Sequence, residues 1–129
     1  MHMAKSVVST NNAPQAIGPY SQGIKLGNLV FTAGQIPLDP ASGKMVEGGI
    51  AEQADRVMKN VQAVLEAAGS SLDKAIKTTC FLANLDDFAA FNEVYGRYFT
   101  DKAPARSTVQ AARLPAGAMV EVECIAEIG

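Results

Sequence analysis

Apolar and polar positions recur with two different periods along this chain, and these periods predict its strands and helices. Residues 118–128 alternate strictly, so their aliphatic side chains share one face of a predicted strand while Glu121 lies on the opposite face. Apolar side chains in residues 50–68 recur instead at helical spacing, and Gly69 follows where a left-handed C-terminal cap is expected. The chain therefore combines strands with amphipathic helices.

The remaining segments predict further strands, a second helix and two loops. The second helix is predicted from the capping sequence at Asn84 to the break at Pro104, and its aromatic stripe is typical of a helix that packs on a sheet. The other predicted strands, including a hairpin with a Gly27-Asn28 turn, are residues 5–9, 24–34, 74–83 and 106–110. Residues 10–22 and 35–48 are rich in glycine and proline and are predicted to be loops. This order, ββ(β)αβαββ, predicts one α+β domain over 1–129, with a mixed sheet and two helices packed on one face.

Composition and charge narrow the class of protein. The chain has 129 residues, a length typical of a single domain with a buried core. Its 11 Lys and Arg residues and 13 Asp and Glu residues give a net charge of −2, which disfavours a nucleic-acid partner. No apolar run approaches the roughly 20 residues of a membrane helix, and the first residues lack the layout of a signal peptide. These observations predict a cytoplasmic protein with no membrane or nucleic-acid partner.

The single histidine and the two cysteines limit the available chemistry. His2 is the only histidine, and His2-Met3 after Met1 is typical of a cloning remnant. Without His2, a histidine-based triad and a multi-histidine metal site are both excluded within one chain. Cys80 and Cys124 lie in separate apolar segments and form no CxxC motif. Two buried thiols in a reducing cytosol are therefore predicted, with a disulfide as the alternative.

Two charged side chains are candidates for chemistry because of where the pattern places them. Arg106 follows a proline break at the start of a predicted strand, where a planar guanidinium can bind a carboxylate through two parallel hydrogen bonds. Glu121 shares its strand face with Glu123 and Ile125, which indicates that this face is partly covered. Since the helices are predicted to cover the other face, a partner subunit is the simplest cover, and we expect a homo-oligomer. The alternatives are a surface ion pair for Arg106 and a solvated carboxylate for Glu121.

Two further candidate residues, Tyr20 and Gly34, belong to segments in which glycine occurs close to a predicted strand or loop. Tyr20 follows Gly18-Pro19, and its hydroxyl could bind a substrate or cap a core contact. Gly34 leaves a predicted strand, where backbone N–H groups could approach a ligand. The chain contains no GxGxxG, P-loop, HExxH or GxSxG motif, so none of the chemistries that these motifs mark is indicated.

Taken together, these segments resemble the RidA/YjgF family of enamine/imine deaminases over nearly the whole chain. The most specific block is Pro-Ala-Arg-Ser-x-Val-x-x-Ala-x-Leu at residues 104–114, followed at the right distance by Val-Glu-Val at 120–122. Further matching blocks, in the same order, are residues 16–23, 31–37 and 60–69. Several ordered blocks at matching spacing make the resemblance specific.

The resemblance implies a chorismate-mutase-like fold assembled as a homotrimer, with sites in the clefts between subunits. It also implies hydrolysis of short 2-imino acids and their enamine tautomers, such as 2-aminoacrylate, 2-iminopropanoate and 2-iminobutanoate, to 2-keto acids and ammonia. An iminium carbon is already electrophilic, so orientation and acid–base help suffice, and no metal or organic cofactor is expected.

Carried over by position, the resemblance implies roles for individual residues. Arg106 would hold the substrate carboxylate, Glu121 would position or activate the attacking water, and Tyr20 would line the pocket near the imine. Backbone N–H groups near Gly34 and Thr108 would complete an anion cradle.

The chain departs from the family pattern at two positions of the implied site, Thr108 and Ala33. Thr108 stands where many relatives have cysteine, a change that a backbone donor tolerates. Ala33 stands where relatives often have serine, so any role of that hydroxyl is absent here.

Two other functions stay open: a non-catalytic trimer that binds small carboxylates or keto acids, and a protein acting on RNA, which the acidic composition disfavours. Loss of Glu121 should sharply reduce the activity of a deaminase, whereas a binding module should tolerate it.

Overall fold

The computed structural model describes residues 4–129, so residues 1–3, including His2, lie outside the described part of the chain. The strands are β1 (Ser6–Val8), β2 (Gly23–Leu26), β3 (Leu29–Thr32), β4 (Ala75–Leu82), β5 (Ala105–Gln110) and β6 (Val120–Glu127). The helices are α1 (Ile50–Ala67) and α2 (Phe88–Gly96). The strands form one six-stranded sheet in the spatial order β1-β2-β3-β6-β4-β5. In this sheet β4 and β5 run parallel and the other neighbouring strands run antiparallel.

Both helices cover one face of the sheet, which confirms the predicted architecture. The alternation in β6 turns Val120 and Val122 toward the helices, and both are fully buried. The apolar stripe of α1 meets them with Val57, Val61 and Leu65, which are also fully buried. The hydrophobic core therefore lies between the sheet and the helices.

The ends of α1 follow from local chemistry that the sequence shows. The helix begins after Gly49, whose backbone N–H donates to the Glu52 carboxylate at 2.8 Å. It ends before Gly69, which adopts a φ of +84°, while the Ser70 N–H donates back to the Leu65 carbonyl at 2.9 Å. This left-handed closure confirms the predicted cap at Gly69.

The second helix is shorter than the sequence predicts. It ends at Gly96 rather than at the proline break, because the chain leaves the helix through turns in which the Tyr98 N–H donates to the Tyr95 carbonyl. Its start is also displaced: the Asn84 side chain accepts from the Asp86 N–H at 2.9 Å and caps a short 3₁₀ turn, and α2 follows that turn. Phe91 and Tyr95 of the aromatic stripe are buried in the core as predicted, and Tyr98 and Phe99 pack against it. Phe88 departs from the prediction, because it is 39% exposed.

The two cysteines are free thiols buried in the core, as predicted. Burial raises the pKa of Cys80 to about 11 and that of Cys124 to about 12. Because the thiolate is the reactive form of cysteine, both side chains are unreactive thiols near neutral pH.

The face of the sheet opposite the helices, called here the helix-free face, carries apolar side chains that the chain itself leaves uncovered. Val7, Ile24, Phe31 and Ile125 are successive cross-strand partners on this face. Val7 is 64% exposed and Phe31 is 37% exposed. None of the helices in residues 4–129 is long and apolar enough to cross a membrane.

Candidate active site

An open cavity of about 390 Å³ lies where Glu121 projects from the helix-free face. Its walls are mostly apolar and contain four of the side chains or glycines singled out from the sequence. The lining residues are Ile17, Tyr20, Ala33, Gly34, Ile36, Pro115 and Glu121. We call this cavity the glutamate pocket.

Backbone pairing brings the walls of the glutamate pocket together. The Gln35 N–H donates to the Val122 carbonyl at 2.8 Å, and the Val122 N–H returns a bond to the Gln35 carbonyl at 3.1 Å. This bridge sets Gly34 beside Glu121, which precedes Val122 in β6. A Cβ at Gly34 would overlap the Glu121 carboxylate and lie 2.8 Å from its Cδ. Only glycine therefore allows the carboxylate to lie in its present position.

The electrostatics of the glutamate pocket make Glu121 a stronger base than an ordinary glutamate. Burial raises the pKa of Glu121, and the nearby negative charge of Glu123 raises it further. The Glu121 carboxylate has no hydrogen bond or ion pair with any side chain in residues 4–129. A carboxylate of raised pKa, free of partners and facing a cavity, is suited to accept a proton from water.

Tyr20 lies on the outer wall of the glutamate pocket. Its hydroxyl accepts a long hydrogen bond, 3.4 Å, from the Ile17 N–H, and the residue is 51% exposed. The loop that carries it is held by Gln22, whose buried amide donates to the carbonyls of Ala13 and Pro14. Tyr20 therefore lines the cavity from an anchored loop, and its hydroxyl donates no hydrogen bond to another of the residues 4–129.

Arg106 lies elsewhere, on β5 at the edge of the sheet, and points toward α2. Its Nη1 donates to Oδ1 of Asn92 at 2.7 Å. Its Cζ lies 4.8 Å from the ring centroid of Tyr95, 5.4 Å from that of Phe88 and 5.9 Å from that of Phe91. The guanidinium is held on the surface of α2 by one hydrogen bond and by the faces of aromatic rings. We call this group of residues the arginine edge.

Arg106 is not neutralised by a carboxylate in the described part of the chain. The two ion pairs in residues 4–129 join other side chains, Lys59 to Asp55 and Arg97 to Glu93. Thr108, two residues further along the same face of β5, has a buried hydroxyl without a hydrogen-bond partner among the described residues. A half-buried cation and an unsatisfied hydroxyl on one strand edge are suited to bind an anion.

The glutamate pocket and the arginine edge do not meet within one chain. Arg106 is the cross-strand partner of Thr78, and Glu121 is the partner of Phe81, with β4 lying between β5 and β6. With strands about 4.8 Å apart and residues about 3.3 Å apart along a strand, their Cα atoms are separated by roughly 14 Å. The side chains also project from opposite faces of the sheet. Within residues 4–129, the glutamate pocket and the arginine edge are therefore two separate candidate half-sites.

Sequence reasoning missed the residues that support Arg106. The spacing of the aromatic stripe predicts only core packing for α2 and does not by itself point to Asn92. A signal was available, because Asn92 stands within the stripe of Phe88, Phe91 and Tyr95 at the i, i+3, i+4 and i+7 spacing of one helix face. A polar side chain inside an aromatic stripe needs a partner, and here that partner is Arg106.

The described residues form an α+β fold with a six-stranded mixed sheet, a pocket that contains Glu121 and an edge strand that carries Arg106. The sequence matches the family described as Endoribonuclease L-PSP over residues 10–128. The chain belongs to this family, the RidA family that its sequence motifs resemble.

Individual relatives agree with this assignment over almost their full lengths. The chain is 52% identical over 124 residues to a RutC family protein of Pyrococcus abyssi, covering 96% of this chain and 98% of the relative. It is 45% identical over 125 residues to the 2-iminobutanoate/2-iminopropanoate deaminase of Mus musculus, covering 97% and 93% of the two chains. The crystal structure of E. coli TdcF with bound serine is 44% identical, with a TM-score of 0.92, covering 96% of this chain and 99% of that one. Deaminases are therefore named within the family.

Proposed function

We propose that this chain is a deaminase that hydrolyses short-chain 2-imino acids and their enamine tautomers. The substrates in this proposal are 2-aminoacrylate, 2-iminopropanoate and 2-iminobutanoate, and the products are 2-keto acids and ammonia. One observation carries the proposal: Arg106 and Glu121 are half-buried charged side chains, and neither has an oppositely charged partner among residues 4–129. A 2-imino acid carries a carboxylate that Arg106 can bind. It also carries an electrophilic carbon, which water activated by Glu121 can attack. The deaminase name of the mouse relative supports the same chemistry.

The complete site in this proposal lies between two subunits of a homotrimer. A short imino acid is far too small to bridge the roughly 14 Å between Arg106 and Glu121 within one chain, given the spacing of a sheet. Because β5 is an edge strand, the Arg106 of one subunit can reach the glutamate pocket of another. The uncovered apolar residues of the helix-free face, among them Val109 at 46% exposed, supply the surface that subunits would bury.

The chemistry follows from the groups in the two half-sites. Arg106 binds the substrate carboxylate through Nη2 and Nε, because Nη1 is committed to Asn92. Water attacks C2 of the iminium, Glu121 accepts a proton from that water, and a carbinolamine forms. Glu121 then gives that proton to the carbinolamine nitrogen, and the C–N bond breaks to release ammonia. The proton of the C2 hydroxyl passes to the Glu121 carboxylate or to the departing ammonia, and the C2 oxygen becomes the keto group. Tyr20 orients the imine nitrogen or the attacking water from the outer wall.

The two positions that depart from the family pattern lie beside the charged groups, Ala33 in the glutamate pocket and Thr108 next to Arg106 on β5. Ala33 contributes a methyl group where relatives often have a hydroxyl, so the wall beside Gly34 is apolar. The pocket therefore favours imino acids with apolar side chains.

Thr108 contributes its backbone N–H to the anion cradle, and its hydroxyl, which has no hydrogen-bond partner among residues 4–129, lies beside that N–H. The two buried free thiols favour a reducing, cytoplasmic location for this reaction.

The test is release of keto acid from 2-aminoacrylate and 2-iminobutanoate generated enzymatically. We expect wild type to accelerate release, Arg106→Ala to abolish the acceleration, and Glu121→Ala to lower it by roughly 10²- to 10⁴-fold, as for loss of a general base. Arg97→Ala and Glu66→Ala, which remove exposed charges that belong to neither half-site, are the matched controls. If wild type binds pyruvate but accelerates nothing, the chain is a carboxylate-binding module and the deaminase proposal is wrong.

A second experiment tests whether the site lies between subunits. Arg106→Ala and Glu121→Ala chains, each inactive alone, are co-expressed so that they assemble at random. Where each site takes arginine from one copy and glutamate from the next, about one quarter of the sites regain both groups. Recovery of activity near that level supports the inter-subunit site. If the mixture stays as inactive as either parent, with mixed oligomers demonstrated by mass spectrometry, both groups act within one chain.

A further inference from the structure

Tyr95 has a relation to Arg106 that goes beyond filling the core. Of the three aromatic rings near the guanidinium, that of Tyr95 is the nearest, at 4.8 Å from Cζ to the ring centroid. Tyr95 is 6% exposed, so this contact lies under the guanidinium and away from solvent. A cation over the face of a shielded ring is attracted more strongly than at an exposed site.

The ring of Tyr95 is fixed by a hydrogen bond to the strand next to Arg106. The Tyr95 hydroxyl and the Thr78 hydroxyl are 2.7 Å apart, and Thr78 is fully buried. Thr78 is also the cross-strand partner of Arg106 in the parallel β4–β5 pair. The three residues therefore form a closed set of contacts: backbone from Arg106 to Thr78, hydroxyl from Thr78 to Tyr95, and ring from Tyr95 back to the guanidinium.

A residue that only fills the core at position 95 would not need the hydroxyl group that Tyr95 carries. A phenylalanine would fill the same space without a buried hydroxyl that needs a partner. Pairing that hydroxyl with Thr78 instead restricts where the ring can lie relative to the strand that carries Arg106. Burial raises the pKa of Tyr95, so the hydroxyl keeps its proton and the contact does not change near neutral pH.

We infer that Tyr95, held by Thr78, is a positioning residue for Arg106. Its ring sets the height and tilt of the guanidinium while Asn92 occupies Nη1, so that Nη2 and Nε face the substrate carboxylate. This inference rests on the proposed role of Arg106 as the carboxylate clamp. Tyr95 itself touches no substrate, and its effect passes entirely through Arg106.

The test uses the assembled protein, with pyruvate as the carboxylate probe measured by calorimetry alongside the kinetics. Tyr95→Leu, which removes the ring, should raise the Kd for pyruvate and the KM for imino acid by roughly 2- to 30-fold, the range of a cation–π contact. The kcat should change by less than about twofold, because the clamp binds ground state and transition state alike. The pH profile should not move.

Milder variants separate positioning from folding. Thr78→Val leaves the Tyr95 hydroxyl without its partner and should raise the Kd for pyruvate less than Tyr95→Leu does, whereas Thr78→Ser keeps a hydroxyl and should restore wild-type binding. Phe99→Leu is the matched control, because Phe99 packs against Tyr95 at 4.8 Å between ring centroids but is not among the rings under Arg106. It should lower the Tm and leave the Kd unchanged. A folded Tyr95→Leu protein with wild-type Kd and KM would overturn the inference.

Two further outcomes distinguish this inference from the proposed function. In an Arg106→Ala background, Tyr95→Leu should have no additional effect on pyruvate binding, and additive losses would show that Tyr95 acts through the fold instead. If wild type neither binds pyruvate nor releases keto acid, the proposed function fails. NMR relaxation of the Arg106 Nε–H group then decides, since greater mobility in Tyr95→Leu supports the positioning role and unchanged mobility refutes it.

Discussion

Gly34→Ala is the substitution that most directly tests how the glutamate pocket is built. Gly34 is not among the glycines with positive φ, so alanine suits its backbone without strain. The added Cβ would overlap the Glu121 carboxylate and lie 2.8 Å from Cδ and 3.1 Å from Cγ. Contacts below 3.0 Å do not persist, so the Glu121 side chain must rotate away from the cavity wall.

The expected effect on activity is large and the effect on stability is small. Moving a catalytic group by about 1 Å costs roughly 10²-fold in rate, so kcat/KM should fall by about that factor. A strained Glu121 rotamer costs about 0.5–1.5 kcal/mol. Replacing glycine by alanine restricts the unfolded chain and returns about 0.4–1 kcal/mol. The two contributions nearly cancel, and the Tm should stay close to that of wild type.

The assay is keto-acid release by Gly34→Ala, Glu121→Ala and the double variant, with Gly96→Ala as the matched control. A Cβ at Gly96 meets nothing within 4 Å, so this variant should keep full activity. In the Glu121→Ala background the clash disappears, and Gly34→Ala should cost less than about twofold more, which a double-mutant cycle measures. Full activity in Gly34→Ala, or losses that simply multiply in the double variant, would refute this account of the pocket.

Two stability predictions follow from single residues. Glu121→Gln should raise the Tm at neutral pH. The pKa of Glu121 is higher in the folded state than in the unfolded chain, so its contribution to stability is present below the unfolded value of about 4.3 and is lost as the pH rises through the raised folded value. The gain in Tm should therefore shrink as the pH is lowered toward that value, and a pH-independent gain would contradict the linkage. Ala116→Gly should stabilise the protein by up to about 1 kcal/mol, because Ala116 has a φ of +57° that costs a non-glycine residue about 1–2 kcal/mol, partly offset by greater freedom of the unfolded chain. Calorimetric scans compare it with Ala112→Gly, an exposed position without positive φ, which should be neutral or destabilising.

The sequence predicts the fold well because its periods are long and unambiguous. The alternation around Val120 and Val122 and the helical spacing of α1 each extend over enough residues to specify one buried face. The predicted end of α2 lies beyond the observed end at Gly96, because aromatic residues such as Tyr98 continue to pack against the core after the helix has ended. Apolar spacing reports burial, and burial does not distinguish a helix from the turns that follow it.

The candidate site is only partly visible in the sequence. Tyr20, Gly34 and Glu121 were singled out and lie around one cavity, but nothing local to Gly34 indicates that its missing Cβ makes room for a carboxylate 87 positions further along the chain. The separation of Arg106 from Glu121 depends on strand order, which puts β4 between them. Residue patterns do not encode that order directly, since the pairing of distant strands is decided by the packed core.

The position of β6 in the sheet has a consequence for how the protein is made. This strand is the last in chain order, yet it lies in the middle of the sheet and pairs with both β3 and β4. During synthesis, β1–β3 and the β4–β5 pair emerge first as two separate strand groups, each with an unpaired inner edge. The two strand groups can join only when β6 pairs with β3, which brings Ile125 beside Phe31. Because these residues are far apart in sequence, this pairing is late and slow in a nascent polypeptide. A chain that lacks β6 therefore exposes the unpaired edges of β3 and β4, and such edges can pair with another chain and cause aggregation.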